Sequence, residues 1–423
     1  MRVFMEWRVM KLRVPDYYPA FKCIDRNCTD SCCAGWEVDV DEAAYEYYKT
    51  VTGKFGDRLH SVMSEEGGYH FILKPNKDCP FLNETGLCDL FTELGEDKLC
   101  NTCAMYPRFV EEYGNVREMG IAFSCKTAAE LILTYKGKAG FTISEDKMPV
   151  TSYNDINPQF YLALSEARTT AYALVQNQAY PVKERIALLL DYADKLQHSI
   201  NGHRYSNILK HNEKYGVPGA DRFADVCTKE LDRAVLRLKK KYCGHSADTK
   251  EASLKRYLHM REMLGIFERL ETVKPEFIQF IQSDYREFGT KEIRNNQADA
   301  VCRMEHYVKA YSGFTKYYSD RKYEFEHIMV YYIFRYFLKA VYDYDLIGKV
   351  KLGIAGFLTV LEMDVLEWLH NQKTLTLEEQ IEITHLYSRE VEHSDENFAV
   401  LEKMYNTEEV FTLDNLMTAL LAD

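Results

Sequence analysis

The chain has 423 residues, 46% of them hydrophobic and 13% aromatic, and a formal net charge of −12. That length predicts two or more domains, and the hydrophobic content excludes a disordered chain. The acidic balance excludes nonspecific nucleic-acid binding, which needs a cationic surface, and suits the steering of a lysine-bearing partner. Residues 1–17 contain no continuous apolar stretch followed by a small-residue cleavage site, so no secretory leader is expected. No charge-free run of about 18 apolar residues occurs, so no membrane span is expected either. Both point to a reducing, cytoplasmic setting. There a dense cysteine set signals metal or catalysis before disulfides.

Residues 1–22 read as a lead-in kept extended by Pro15 and Pro19. Cys23, Cys28, Cys32 and Cys33 follow with C-x4-C-x3-C-C spacing. Asp41–Val51 predicts a short amphipathic helix with Tyr45 and Tyr48 on one face and Asp39 or Asp41 as its cap. Tyr69, Phe71 and Leu73 alternate like a strand, and the turn at Asn83–Gly86 brings Cys79 and Cys88 towards each other. Leu90–Leu99 predicts a helix interrupted at Gly95, and Cys100 and Cys103 form a C-x2-C pair. Phe109–Phe123 predicts a hairpin turning at Gly114-Asn115. Ser124 is the expected cap of a helix over Lys126–Leu133, with Cys125 in the first turn, where the dipole favours a thiolate.

Residues 137–158 read as a linker. Beyond them the pattern predicts helices over Gln159–Asn177, Pro181–Ser199, Ala224–Tyr242, Leu254–Thr272, Lys274–Phe288 and Ala298–Tyr311. Further helices are predicted over Tyr323–Tyr342, Leu346–His370, Leu377–His393 and Asp395–Tyr405. Thr376 and Glu379 fit a capping box and Ser394 fits a cap. Asp343 and Asp345 are assigned to an inter-helix loop, and the glycines at 348, 353 and 356 to close helix packing. The expected architecture is mainly α: a loop-rich, cysteine-rich metal domain with minor β content, residues 1–135, packed on an α-helical body, residues 150–423.

Nine of the twelve cysteines lie in the first 125 residues: Cys23, Cys28, Cys32, Cys33, Cys79, Cys88, Cys100, Cys103 and Cys125. Thiolates are soft ligands for Zn²⁺ or iron–sulfur iron, and short-spaced pairs joined by turns can assemble a site from separate loops. Spacing alone does not separate Zn²⁺ from a [4Fe–4S] cluster, and nine ligands exceed the four that one site needs. Cys227, Cys243 and Cys302 sit in helical patterns and are expected in the core.

The motifs V-P-D-Y-Y at Val14–Tyr18, F-K-C-x4-C-x3-C-C-A-G-W at Phe21–Trp36, and C-P-F-L-x4-L-C at Cys79–Cys88 resemble the flagellin lysine N-methylases, the FliB family. So do E-L-G-E-D-x-L-C-x-T-C-x2-Y-P-R at Glu93–Arg108 and Y-S-R-E-V-E-H-S-x-E-N at Tyr387–Asn397. The resemblance implies S-adenosyl-L-methionine-dependent methylation of lysine ε-amines on flagellin, in a protein carrying an iron–sulfur cluster, and it favours [4Fe–4S] over Zn²⁺. The sequence itself shows no glycine-rich dinucleotide fingerprint and no C-x3-C-x2-C radical motif. Amine methylation needs groups that handle the lysine proton. Tyr387, Arg389, Glu392 and His393 are the candidate catalytic residues, with Glu390 beside them and Glu326 and His327 as a second location. The alternative function is a metal-binding interaction or chaperone protein without catalysis.

Overall fold

The computed structural model describes residues 9–24, 28–32, 38–147, 150, 155–215, 228–244, 249–290, 292–293 and 297–422. Cys33 and Cys227, assigned above to metal and core, lie outside them. The alternation of Met10, Leu12 and Val14 makes β1 (Met10–Pro15) a strand with Met10 and Val14 buried. The supposed lead-in is therefore part of the main sheet. Next come α1 (Glu42–Lys49), α2 (Gly53–Ser61), the short pair β2 (Met63–Ser64) and β3 (His70–Phe71), then α3 (Asp89–Leu94) and α4 (Asn101–Met105). Asp41 caps α1, its carboxylate accepting from the Ala44 amide at 3.0 Å.

β4 (Arg108–Tyr113) and β5 (Val116–Ile121) form the expected hairpin, with Gly114 at φ 64° in the turn. After α5 (Lys126–Thr134), residues read as a linker instead form β6 (Phe141–Asp146). The sheet order is β4-β5-β1-β6, with β1 parallel to β5 and antiparallel to β6. The expectation failed because β6 is largely exposed and its apolar alternation stops after Phe141 and Ile143.

The rest is helical: α6 (Pro158–Val175), α7 (Val182–Asn201), α8 (Tyr205–Lys214), α9 (Thr228–Cys243), α10 (Thr249–Phe267), α11 (Pro275–Phe288) and α12 (Gln297–Tyr317). Then follow α13 (Tyr323–Tyr336), the short α14 (Ala340–Asp343), α15 (Leu346–His370), α16 (Leu377–Val391), α17 (Asp395–Thr407) and α18 (Leu413–Leu421). The chain is thus mainly helical. Two of these helices, α8 and α18, were not anticipated. The helix expected over Tyr323–Tyr342 breaks at Phe337–Lys339 into a 3₁₀ turn. Asp345 caps α15, accepting from the Gly348 amide at 2.9 Å. α15 is buried on almost every face. A Cβ on Gly353 or Gly356 would come within 3.0 Å of Tyr332, so the α13–α15 approach depends on those glycines.

Two apolar cores form. The smaller gathers Val38, Tyr45, Tyr48, Leu59, Phe71, Phe81 and Leu90 with Cys79 and Cys100. The larger takes Tyr17, Phe21, Ile121, Phe123 and Ile132 from the front of the chain together with the helical residues through Leu421. Sheet and α5 therefore share the interior of the helical body. Cys243 packs half-buried against this core, whereas Cys302 is exposed and is not a core residue. It sits on the solvent side of α12, whose buried face carries Met304, Tyr307 and Tyr311.

A buried carboxylate fastens sheet to helices. Glu118 of β5 receives Arg13 at 2.8 Å and a two-pronged Arg168 guanidinium from α6, one prong at 2.7 Å. Burial alone would raise the Glu118 carboxyl, but Arg168 and Arg13 overcome that and lower it. Truncating one member of such a buried set strands the others. Glu118→Ala is expected to cost about 3–5 kcal/mol in denaturant unfolding; a loss under about 1 kcal/mol, typical of an exposed pair, would contradict this joint.

His259 on α10 is fully enclosed. Burial, then the neighbouring Arg256 charge, push its imidazole down to about 4. Its protonation therefore favours the unfolded chain. Stability is retained above about pH 6.5 and falls as pH drops towards 4, by about 3 kcal/mol in all. His259→Leu should flatten that part of the pH–stability profile, and an equally steep profile would refute the assignment.

Candidate functional site

α16 begins at a capping box, with the Glu379 amide donating to Thr376 Oγ1 at 3.2 Å and the Thr376 amide to Glu379 Oε2 at 2.6 Å. The helix delivers His385 and Arg389 to one place and ends at Glu392. His385 and Arg389 are four residues apart and share a face. Both reach Asp30, in the loop between Cys28 and Cys32. His385 Nε2 lies 2.5 Å from Asp30 Oδ2 and its Nδ1 lies 3.1 Å from the Phe123 carbonyl. Lys274 Nζ donates to Asp30 Oδ1 at 2.8 Å, and Arg389 Nε stands 3.8 Å away. Burial would raise the Asp30 carboxyl; the His385 and Lys274 hydrogen bonds and the Arg389 charge prevail and hold it well below the usual carboxylate range.

The remaining motif residues build the same joint. The Glu390 carboxylate accepts from the amides of Val273 at 3.1 Å and Lys274 at 2.8 Å, at the start of α11. Burial pushes its carboxyl up to about 6 against those two amides. Asn397 donates to the carbonyls of Glu271 and Glu390 at 2.8 and 2.9 Å. Ser394 caps α17, as expected. Much of the motif clamps the 271–274 segment and the cysteine loop.

Glu392 is enclosed by α13. Its Oε2 accepts from Tyr331 at 2.8 Å, Arg335 at 3.0 Å and Tyr336 at 2.7 Å, and Oε1 from Tyr332 at 3.3 Å. Oε2 is thus saturated and Oε1 keeps accepting capacity. Phe123 stacks at a tilt on Tyr331, centroids 4.2 Å apart. His393 is half-buried and meets the Tyr106 ring edge-on at 5.4 Å. Burial first, then Arg389 and Arg335, hold its imidazole well below its ordinary value, so it is neutral near pH 7. Tyr106 donates to the Ser124 carbonyl at 2.5 Å. Tyr387 is buried on the other side of α16, against Phe267 and Phe277. Arg389 and His393 therefore lie near Arg335, the partner of Glu392, while Tyr387 packs on α11 and also neighbours Tyr405, Glu392 and Tyr332. Sequence reasoning missed Asp30, Lys274, Tyr106, Tyr331, Tyr332, Arg335 and Tyr336. Glu326 pairs with Arg185 at 2.5 Å, and His327 reaches the Tyr135 carbonyl at 3.0 Å, both inside the core.

The described cysteines fall into neighbouring sets. Cys125 is influenced by Cys28 and Cys23, and Tyr106 by Cys125 and Cys32. Cys79 neighbours Cys88, and Cys103 hydrogen-bonds Cys100, lowering the Cys100 thiol despite its burial. Burial pushes Cys79 up to about 11. Cys125, not Ser124, is the N-cap residue of α5. Its thiol is raised by burial, against the Ala128 and Thr127 amides, so the expected dipole-favoured thiolate is not found. These thiols have the donor chemistry of a soft-metal site. Among the described residues no group of three or more His, Cys, Asp or Glu is disposed around a common ion position. No described helix is long and apolar enough to cross a membrane.

Asp30→Ala should release the Cys28–Cys32 loop from α16. The expected result is faster alkylation of Cys28 and Cys32 with unchanged far-ultraviolet circular dichroism; unchanged alkylation rates would show that Asp30 does not restrain the loop.

The lysine-N-methylase of Salmonella typhimurium is 28% identical over 126 residues, a stretch covering 28% of this chain and 31% of that protein. The flagellar biosynthetic protein FliU of Salmonella muenchen is 27% identical over 126 residues, covering 28% of this chain and 75% of that protein. The lysine-N-methylase of Salmonella choleraesuis is 27% identical, again over 31% of its length. No solved structure matches. The model of the FliB lysine N-methylase C-terminal domain matches residues 168–419, from the Arg168 that holds Glu118 to the end of the helical body. By that match over more than half its length, the chain belongs to the FliB lysine N-methylase family.

Proposed function

We propose that this chain is a protein-lysine N-methyltransferase that uses S-adenosyl-L-methionine and acts on flagellin. The observation that carries the reading is the family match across residues 168–419, which contains Arg389, Glu392 and His393. The names lysine-N-methylase and flagellar biosynthetic protein, borne by relatives that share a 126-residue stretch, support the reaction and the substrate. Bound S-adenosyl-L-methionine would supply an electrophilic methyl group on a sulfonium. The ring of tyrosines around Glu392 gives that sector aromatic faces and carboxylate charge, both suited to cations.

The chain's own residues have distinguishable tasks in this reading. A lysine ammonium must lose its proton before its nitrogen can take a methyl group. Burial disfavours the charged amine, and His393 and Glu392 are the groups we assign to handle that proton. His393 lies where the sector reaches solvent, beside Tyr106. Arg389 and Tyr387 act as positioning residues, Arg389 through Asp30 and Tyr387 through its packing on α11. We further propose that the front cysteines hold a [4Fe–4S] cluster, with Zn²⁺ as the alternative. Cys23, Cys28, Cys32, Cys33 and Cys125 would serve one site beside the sector, and the pairs Cys79/Cys88 and Cys100/Cys103 would have to draw together to serve another.

Methyl-labelled S-adenosyl-L-methionine and purified flagellin, incubated with anaerobically prepared protein, test this reading. Label should appear on flagellin lysines, and His393→Ala should slow its transfer about 10²-fold without lowering the melting temperature. Absence of label, with metal still bound, would favour the noncatalytic metal-binding protein. Cys103→Ser should reduce the metal content and Cys243→Ala should not; equal content in both would remove Cys103 from the ligand set.

A further inference from the structure

A cleft of about 1080 Å³, which shares no lining residue with the sector around Glu392, is bounded by α10, α12 and the start of α7 and α13. Its lining carries six cations, Lys183, Lys250, Arg256, Lys309, Lys316 and Lys322, against one carboxylate, Glu305. That sign is opposite to the chain's net charge of −12. Such a one-signed cleft concentrates its field on an oppositely charged ligand. It repels a sulfonium or a lysine side chain, so neither methylation reactant fits it.

The floor is apolar and aromatic. Phe314, Tyr318, Phe325 and Leu361 are buried there. Arg256, 3% exposed, lies with its guanidinium 3.4 Å from the Tyr311 ring centroid, and Lys183 reaches the Ala422 carbonyl at 3.0 Å. The upper wall is different. Lys309 and Lys316 are exposed and seven residues apart on α12, hence on one face. The lining runs along α12 from Met304 to Lys316, about 18 Å at 1.5 Å per residue. That length accommodates roughly five or six residues of extended chain. The volume also lies at the upper limit of sites for small molecules, about 1,000 Å³.

We propose that this cleft docks an extended segment of a partner protein in which acidic residues alternate with apolar ones. The alternation matches the cleft: apolar side chains enter the aromatic floor and carboxylates meet the lysine wall. The inference does not depend on the methylation reading.

The test uses full-length protein and a fluorescein-labelled twelve-residue peptide alternating glutamate with leucine and phenylalanine. Anisotropy should show binding that weakens with added salt. The double variant Lys309→Glu/Lys316→Glu should weaken it about tenfold or more at unchanged melting temperature. Should that variant fail to fold, Lys309→Ala/Lys316→Ala replaces it, with a smaller loss expected. Equal binding of the glutamine version of the peptide, or equal binding by the variants, would overturn the proposal. So would ATP binding through the same lysines while the peptide does not bind, which would assign the cleft to a small polyanion.

Discussion

The Asp30 carboxylate ties the 28–32 cysteine loop to the helical body. Its oxygens are taken by His385 and Lys274, with Arg389 close behind. A half-buried carboxylate is best tolerated when it is paired and hydrogen-bonded, so His385, Lys274 and Arg389 constrain where the 28–32 loop can lie. Lys274 is itself placed by Glu390, which accepts from its amide, and Asn397 ties Glu390 to Glu271. One end of α16, the start of α11 and the cysteine loop are therefore a connected polar unit. Cys32, which acts on Tyr106, lies in the loop this unit holds, while Cys125 reaches the same ring from the start of α5.

The same device recurs where other elements meet. Glu118 fastens the sheet to α6 through Arg168. Arg261 joins Asp284 of α11 to Glu362 of α15, with Tyr307 donating to Glu362 at 2.8 Å. Glu392 collects three tyrosine hydroxyls and Arg335 from α13. The 31 tyrosines are partly accounted for by this role. A tyrosine brings a large apolar body into the core and a hydroxyl that can satisfy a buried carboxylate.

The helices were largely legible because a long apolar periodicity with caps survives its surroundings: α15 runs over Leu346–His370 as expected, and the capping box at Thr376 is present. β1 was overlooked although Met10, Leu12 and Val14 alternate, because its parallel partner lies about a hundred residues away and leaves no local mark. β6 is largely exposed, and only Phe141 and Ile143 give it an apolar face, too short an alternation to mark a strand. In the site, the residue types of the Tyr387–Asn397 motif were visible but their tasks were not. Glu390 and Asn397 serve backbone groups at 271–274, and His385 and Arg389 serve Asp30, partners fixed only by tertiary packing. The grouping of the cysteines was likewise beyond spacing, since Cys125 joins Cys23 and Cys28 only through the fold.

The most direct measurement is a double-mutant cycle on Asp30→Ala and His385→Ala, read as unfolding free energy. If the charged contact joins the cysteine loop to α16, the two losses should be non-additive by about 1–3 kcal/mol. Losses that add to within about 0.3–0.5 kcal/mol would mean that loop and helix are held by something else, and the architecture drawn from this joint would fail.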